Sequence, residues 1–329
     1  DDLGTSYYFR GAVDNNWVKY GKYTKDAYIV MDRKYNYSLV DSCNGFNFCT
    51  KLASKGDDMY WRIIRINGDN SIRMIYTGTT APDSNTKVVM TERTYISDLL
   101  QYTVTSAGAS KFNQKSDSAE YVGYMYTIGE QHGTSQSSDI KTYLDNWYAN
   151  YTDLNKTGTK ITDQIYCNDR TASTSNVSYS TANYTTLTSW NSKGTLYFYG
   201  ANGRINKDNN PMLTCAVDSD RFTVNKINGK GNSALTYPIG LITIDEVEMA
   251  GNNFNESVKS HYLYTGAHYW TGTPAAFDGD FSFEYSAMDE SGFSMSDAGI
   301  RFAARAVVSL SSESKLLGSG TYDDVYIVS

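Results

Sequence analysis

The chain has 329 residues, a formal net charge of -7 and a pI near 5.0, and it is rich in aromatics, with 29 Tyr, 12 Phe and 5 Trp. An acidic chain without clustered excess Lys and Arg excludes a phosphate-tracking surface, so nucleic acid is not an expected partner. No apolar run of about 18 residues occurs, and Asp1-Asp2-Leu3-Gly4 carries neither a basic nor an apolar leader region, so the expectation is a soluble ectodomain from which a signal or membrane tether can have been removed. Only 4 Pro are present and the polar remainder is mostly Ser, Thr, Asn and Gly, which favours strands and turns over long helices.

Residues 1–60 read as a Tyr-rich, irregular subregion, with Tyr7-Tyr8-Phe9-Arg10-Gly11 and Asn16-Trp17-Val18-Lys19-Tyr20 as short strands around an Asp14-Asn15-Asn16 turn. Residues 60–76 follow as a β-hairpin. Alternating apolar and basic runs flank Asn67-Gly68-Asp69-Asn70, whose Gly and Asn tolerate positive φ. Strict alternation predicts one wet, basic face and one dry face carrying Trp61, Ile63, Ile72 and Met74, or the register one residue over.

Residues 84–117 are polar, and Tyr121-Val122-Gly123-Tyr124-Met125-Tyr126 reads as a buried strand. A helix is predicted from Ser138 to about Tyr151, because Ile140, Tyr143, Leu144, Trp147, Tyr148 and Tyr151 recur at helical spacing. Residues 171–188 are nearly all Ser, Thr, Asn, Ala and Tyr and read as a long surface excursion. Leu196-Tyr197-Phe198-Tyr199 is a further strand candidate. Thr243 and Glu246 form a capping box that starts a short helix ended by Gly251, and its acidic residues Asp245, Glu246 and Glu248 are read as capping groups, not catalytic ones.

Short strands at 262–264, 269–271, 281–285, 299–302 and 306–310 complete the chain, separated by turns at Gly266, Asp278-Gly279-Asp280, Asp289-Glu290-Ser291-Gly292 and Asp297-Ala298-Gly299. One compact, mostly antiparallel sheet is expected within a single decorated domain spanning 1–329.

Cys43, Cys49, Cys167 and Cys215 are even in number and lack Cys-x-x-Cys spacing, which favours disulfides over zinc or redox chemistry. Three connectivities are open, and the close spacing of Cys43 and Cys49 makes Cys43–Cys49 with Cys167–Cys215 the simplest. Disulfides imply an oxidising, extracellular or cell-surface location.

The order of the Tyr-Tyr-Phe-Arg-Gly start, Gly56-Asp57-Asp58-Met59-Tyr60-Trp61-Arg62-Ile63-Ile64-Arg65-Ile66-Asn67-Gly68, Tyr121-Val122-Gly123-Tyr124-Met125-Tyr126, Asp145-Asn146-Trp147-Tyr148, Ala234-Leu235-Thr236-Tyr237-Pro238-Ile239-Gly240 and Tyr262-Leu263-Tyr264-Thr265-Gly266 resembles a family of secreted, pilin-associated surface proteins of gut Firmicutes. The resemblance covers nearly the whole chain. It implies an α+β, C-type lectin-like fold of the formylglycine-generating-enzyme type, with residues 234–329 as its core. In that fold a Trp-bearing strand and a Gly-Val-Arg-Pro-type strand frame the ligand face. Tyr269-Trp270-Thr271 and Gly299-Ile300-Arg301 stand at those places, although Phe302-Ala303-Ala304-Arg305 departs from the proline-containing continuation. The branch diversified by retroelements varies the segment between those strands.

Catalysis has little support. His132, His261 and His268 are the only histidines, and no cysteine follows Cys215 to supply the copper-binding pair of the oxidase relatives. No cofactor is expected. Asp278, Asp280, Asp289 and Glu290 could offer oxygens to calcium, but no EF-hand loop is present and solvated turns are the preferred reading. Residues 270–297 mix rigid aromatics with carboxylates, a composition suited to recognition. The candidate ligand-binding residues are Trp270, Asp278, Asp280, Phe281, Phe283, Glu284, Tyr285, Asp289, Phe293 and Asp297, and the expected partner is a host or bacterial surface protein or glycan. An adhesin or receptor-binding protein is the leading reading; a pilus or surface-layer subunit and a phage-type receptor-binding protein are the alternatives.

Overall fold

A computed structural model describes residues 1–32, 37–89, 106–174, 189–251, 261–287 and 292–329. The chain is mostly β sheet with few helices, and two sheets dominate it instead of one. The eight-stranded sheet runs in the order Ile161–Thr162, Val307–Leu310, Ile72–Gly78, Asp58–Ile66, Trp17–Lys22, Tyr326–Val328, Leu316–Leu317, with Tyr7–Tyr8 also paired to Asp58–Ile66. The six-stranded sheet runs Phe293–Asp297, Ser282–Ala287, Tyr269–Phe277, Arg301–Ala303, Ala109–Lys111, with Tyr197–Phe198 added on Tyr269–Phe277. Among the described residues pairing is antiparallel except between Trp17–Lys22 and Tyr326–Val328, with Val18 opposite Tyr326, and between Tyr269–Phe277 and Arg301–Ala303, with Tyr269 opposite Ala303.

Among the described residues three α-helices accompany the sheets: α1 (Asp139–Tyr151), α2 (Gly200–Asn206) and α3 (Ile244–Met249). Helix α1 begins where the sequence places it, with the Ser138 hydroxyl accepting from Lys141 N, and it buries the six apolar residues that the spacing selects. Its Trp147 packs against Tyr76 at 5.1 Å and Trp61 at 6.4 Å, and its indole N–H donates to the Tyr23 hydroxyl at 2.9 Å. Burial pushes that hydroxyl up to about 12, so it stays protonated and can serve the cluster as both donor and acceptor.

Several expectations fail locally. Residues 121–126 are not one strand: Ala119–Val122 is a 3-10 turn and only Met125–Tyr126 is extended. Residues 262–264 form no strand, and α2 was not anticipated, because Gly200 and Gly203 weaken a short helical signal. The first 60 residues are less irregular than their composition suggests, since Ala27–Met31 pairs with both Tyr37–Val40 and Phe48–Ala53 in a three-stranded sheet. Residues 175–188 of the excursion read over 171–188, and residues 289–291 of the turn read at Asp289-Glu290-Ser291-Gly292, lie outside the described residues.

The largest correction concerns the hairpin. Asp58–Ile66 and Ile72–Gly78 pair as expected, but the basic face is dry: Arg62, Arg65 and Arg73 are all buried. Arg62 donates to the carbonyls of Val13, Val88 and Lys87 and stacks 4.1 Å over the Trp17 ring. Burial without a carboxylate lowers its guanidinium to about 9, still charged at neutral pH. Arg65 and Arg73 instead reach Glu246 Oε1 through their Nε atoms, at 2.8 and 2.7 Å. Glu246 is also the capping-box residue of α3, accepting from Thr243 N at 2.9 Å. One carboxylate thus caps a helix and pairs with two strand arginines, and Arg65 meets a second carboxylate in Asp1.

Both disulfides join the simplest partners, Cys43 with Cys49 and Cys167 with Cys215, which fits an oxidising environment. Their sequence separations of 6 and 48 correspond in the chain-entropy model to roughly 2 and 4 kcal/mol. Among the described residues no helix is long and apolar enough to cross a membrane.

Burial alone would raise the Glu246 carboxyl, but Arg73 and Arg65 outweigh it and hold it down to about 2. Its contribution is therefore complete above the unfolded value of 4.5 and lost as pH falls from there toward 2. Glu246→Gln should cost about 3–5 kcal/mol at pH 7, as expected when one partner of a buried ion pair is removed. Urea unfolding of the variant across that pH window should show a flatter pH dependence than the parent, and an equal slope would refute the assignment.

Candidate functional site

The strand Tyr269–Phe277 turns at 278–281 into Ser282–Ala287, and this turn is the most exposed part of the segment 270–297 among its described residues. Asp278 closes it: its carboxylate accepts from the backbone N–H of Asp280 at 2.9 Å and of Phe281 at 2.7 Å. With Asp278 committed to the turn, Asp280 and Phe281 are thrown outward, and Phe281 is 48% exposed.

A second loop meets the turn. Gly194 N donates to Gly279 O at 3.3 Å, and a Cβ on Gly279 would lie only 2.2 Å from Gly194 N. Gly279 also has φ +94°, so both its conformation and its closeness to the neighbouring backbone require glycine. The 189–195 loop is anchored in turn by Asn191, whose side-chain oxygen accepts from Ser118 Oγ at 2.8 Å and Ala119 N at 3.1 Å. Between these elements runs an open groove of about 270 Å³, lined by Asp117, Asn191, Lys193, Phe277, Gly279 and Asp280.

The structure divides the nine candidate residues that it describes, Asp289 lying outside them. Asp278, Asp280 and Phe281 are exposed at the turn, and Phe283 and Asp297 are half-buried. Asp297 has a local task, accepting from Gly299 N at 2.6 Å to shape the approach to Arg301–Ala303. Trp270, Glu284, Tyr285 and Phe293 are buried and do not belong to an accessible face. Trp270 packs on Phe112 and Phe302 and donates to Ser110 O at 2.9 Å, while Tyr285 meets Phe293 edge-on and its hydroxyl accepts from Asn206 Nδ2. These four sit on central or inward-facing positions, where side-chain alternation and a second layer leave no outward face.

Sequence reasoning missed Asp117, Asn191 and Lys193. Their only local signal is the loop composition around Asn191-Ser192-Lys193-Gly194; their position beside Asp280 depends on tertiary packing. Of the histidines, His261 is buried beside Tyr264 and lowered to about 4 by burial and by Arg305, while His268 stacks on Phe302 at 4.9 Å. His132 contacts Asp220 at 3.0 Å, a carboxylate that Arg170 already clasps. Among the described residues no group of three or more His, Cys, Asp or Glu is placed to hold a metal.

A polar cavity of about 30 Å³ between Arg65, Arg73, Arg204, Asp245 and Glu246 has room for only one or two waters and belongs to the ion network. Elsewhere, Glu284 stands out: among the described residues neither carboxyl oxygen has a hydrogen-bond partner, and burial pushes it well above the usual carboxylate range, with Arg170 offsetting part of the effect.

Two outcomes follow. Gly279→Ala should separate the turn from the 189–195 loop and lower the thermal midpoint, by about 1–3 kcal/mol of stability, whereas Gly129→Ala, with nothing near its Cβ but the same positive φ, controls for backbone strain alone. Equal losses in the two variants would remove the close-approach argument. For Glu284, the raised value means that its folded form keeps a proton the unfolded chain has lost, so stability declines as pH rises above about 4.5. Glu284→Met should be more stable than the parent at pH 8 and lose that advantage near pH 4; a pH-independent difference in denaturant midpoint would contradict this.

No protein-family model, curated protein or solved structure matches the chain, so the site's reading rests on its own geometry.

Proposed function

We propose that the chain is a non-catalytic, extracellular ligand-binding protein of the adhesin or receptor-binding type, displayed on a bacterial surface or pilus. It would hold a surface protein or glycan with the turn 278–281 and the adjoining groove. The observation that carries this reading is the forced exposure of Phe281 and Asp280 above the groove, on a turn that Asp278 and the Gly194–Gly279 contact hold in place. A preorganised aromatic side chain beside carboxylate, amide and ammonium groups offers contact area and hydrogen bonding at low entropic cost.

The C-type lectin-like assignment belongs to the same reading. It is supported by the side-by-side placement of the two strands that the resemblance singles out, the Trp270-bearing strand and Arg301–Ala303, joined at Tyr269 and Ala303. A structural-subunit reading draws on a different observation. The Leu316–Leu317 and Tyr326–Val328 hairpin forms one edge of the large sheet, with Leu317 and Ile327 exposed, and exposed edges can template assembly.

The double variant Asp280→Ala/Phe281→Ala should keep the parent's thermal midpoint, since both side chains point outward, and reduce attachment to host cells or to a glycan array by about tenfold or more. Undiminished attachment would eliminate this face as the binding surface. Filaments in negative stain that vanish on Leu317→Lys would favour the subunit reading instead.

A further inference from the structure

A second and larger groove, of about 350 Å³, lies away from the 278–281 turn, where the strands Tyr37–Val40 and Ala109–Lys111 meet the first turns of α1. Its volume is at the lower end of the range for small-molecule clefts, about 300–1,000 Å³. Three polar side chains set its chemistry. Asp139, the first residue of α1, has a carboxylate that takes the Gln114 backbone N–H. Lys111 is close enough to Asp139 to act on it electrostatically, yet no ion pair joins Lys111 to any described carboxylate within 4.0 Å. Asn146 uses its side-chain oxygen to accept from Asn150 Nδ2 at 2.9 Å, which leaves its amide N–H groups for the groove.

Aromatic surface completes the walls. Tyr143 is 8% exposed and fixed by its hydroxyl donating to Ala107 O at 2.9 Å, and Tyr37 lies under the Arg301 guanidinium at 5.5 Å. These anchors come from different elements, a strand, a helix and a second sheet, so the shape of the groove is set before any ligand arrives.

The charges select the ligand. A simple anion drawn to Lys111 would meet the Asp139 carboxylate, and a cation drawn to Asp139 would meet the Lys111 ammonium. A hydroxyl group can do both tasks, donating to the carboxylate and accepting from the ammonium. We propose that this groove is a binding site for one residue of an uncharged polyhydroxylated ligand, a hexose unit whose neighbouring hydroxyls bridge Asp139 and Lys111 above the exposed edge of Tyr143. The site is separate from the 278–281 face and stands whether or not that face binds anything.

The test is a ligand-observed NMR titration with the methyl glycosides of glucose, galactose, mannose and N-acetylglucosamine. The proteins compared are the parent, Lys111→Ala, Asn146→Ala and Asp280→Ala/Phe281→Ala. At least one glycoside should bind the parent, with affinity lowered about tenfold or more in Lys111→Ala and Asn146→Ala but unchanged in the turn variant. Because Lys111 lies on a strand and Asn146 on a helix, a folding failure in one, seen by near-UV circular dichroism, leaves the other to decide. The proposal is overturned if no glycoside binds, if both groove variants bind as the parent does, or if glycine or inorganic phosphate binds at this groove while the glycosides do not.

Discussion

The contact on which the rest of the structure depends is the shared carboxylate of Glu246. Arg65 and Arg73 belong to adjacent strands, and both are buried; Glu246 of α3 lies 181 and 173 residues from them in sequence, yet in space its carboxylate pairs with both guanidinium groups. Two buried cations without this anion would be costly, and a buried anion without them equally so. Because the same carboxylate also closes the capping box, α3, which packs on α2 and the six-stranded sheet, is tied by charge to the arginines of the large sheet. Neighbouring ion pairs extend the tie: Arg204 of α2 chelates Asp245 and reaches Asp169, which links the second helix to the first residues of α3.

Buried arginines recur through the core in different electrostatic settings. Arg170 is matched by Asp220, whereas Arg62 and Arg305 rely on backbone carbonyls and aromatic faces, the latter lying 4.7 Å over Tyr269. A guanidinium suits this use because its planar donors can satisfy several carbonyls while its faces stack on rings. The abundance of Tyr and Trp in the chain thus has a structural role that composition alone suggested only as packing: several rings receive a cation. The aromatic residues nominated for ligand recognition divide along the same line, with Trp270, Tyr285 and Phe293 absorbed into the interior and Phe281 left outside.

The two grooves differ in how they are built. The one beside Asp280 depends on a close backbone approach between two loops, which only Gly279 permits. The one beside Asp139 is assembled from a helix and two strands, so its walls are stiffer and its polar groups are displayed from regular structure. Sites on regular elements hold their geometry more closely than sites on loops, while loops tolerate the sequence change that recognition of varied partners requires.

What the sequence determined by itself was local: α1, with its Ser138 cap and apolar stripe, the hairpin through Asn67-Gly68-Asp69-Asn70, the capping box at Thr243 and Glu246, and the turn at Asp278-Gly279-Asp280. Each depends on residues a few positions apart, whose periodicity or turn chemistry survives any tertiary context. Tertiary structure decided everything that turns on distant partners. The alternation in the hairpin predicted a wet basic face, but Glu246 and the carbonyls of residues 13, 87 and 88 made it dry. Likewise, alternation could say that half of the 270–297 aromatics face inward, but not which half. The placement of α3, the Ala119–Val122 turn and the 189–195 loop around the six-stranded sheet settled that, because burial is a property of what packs against a strand and not of the strand's own pattern.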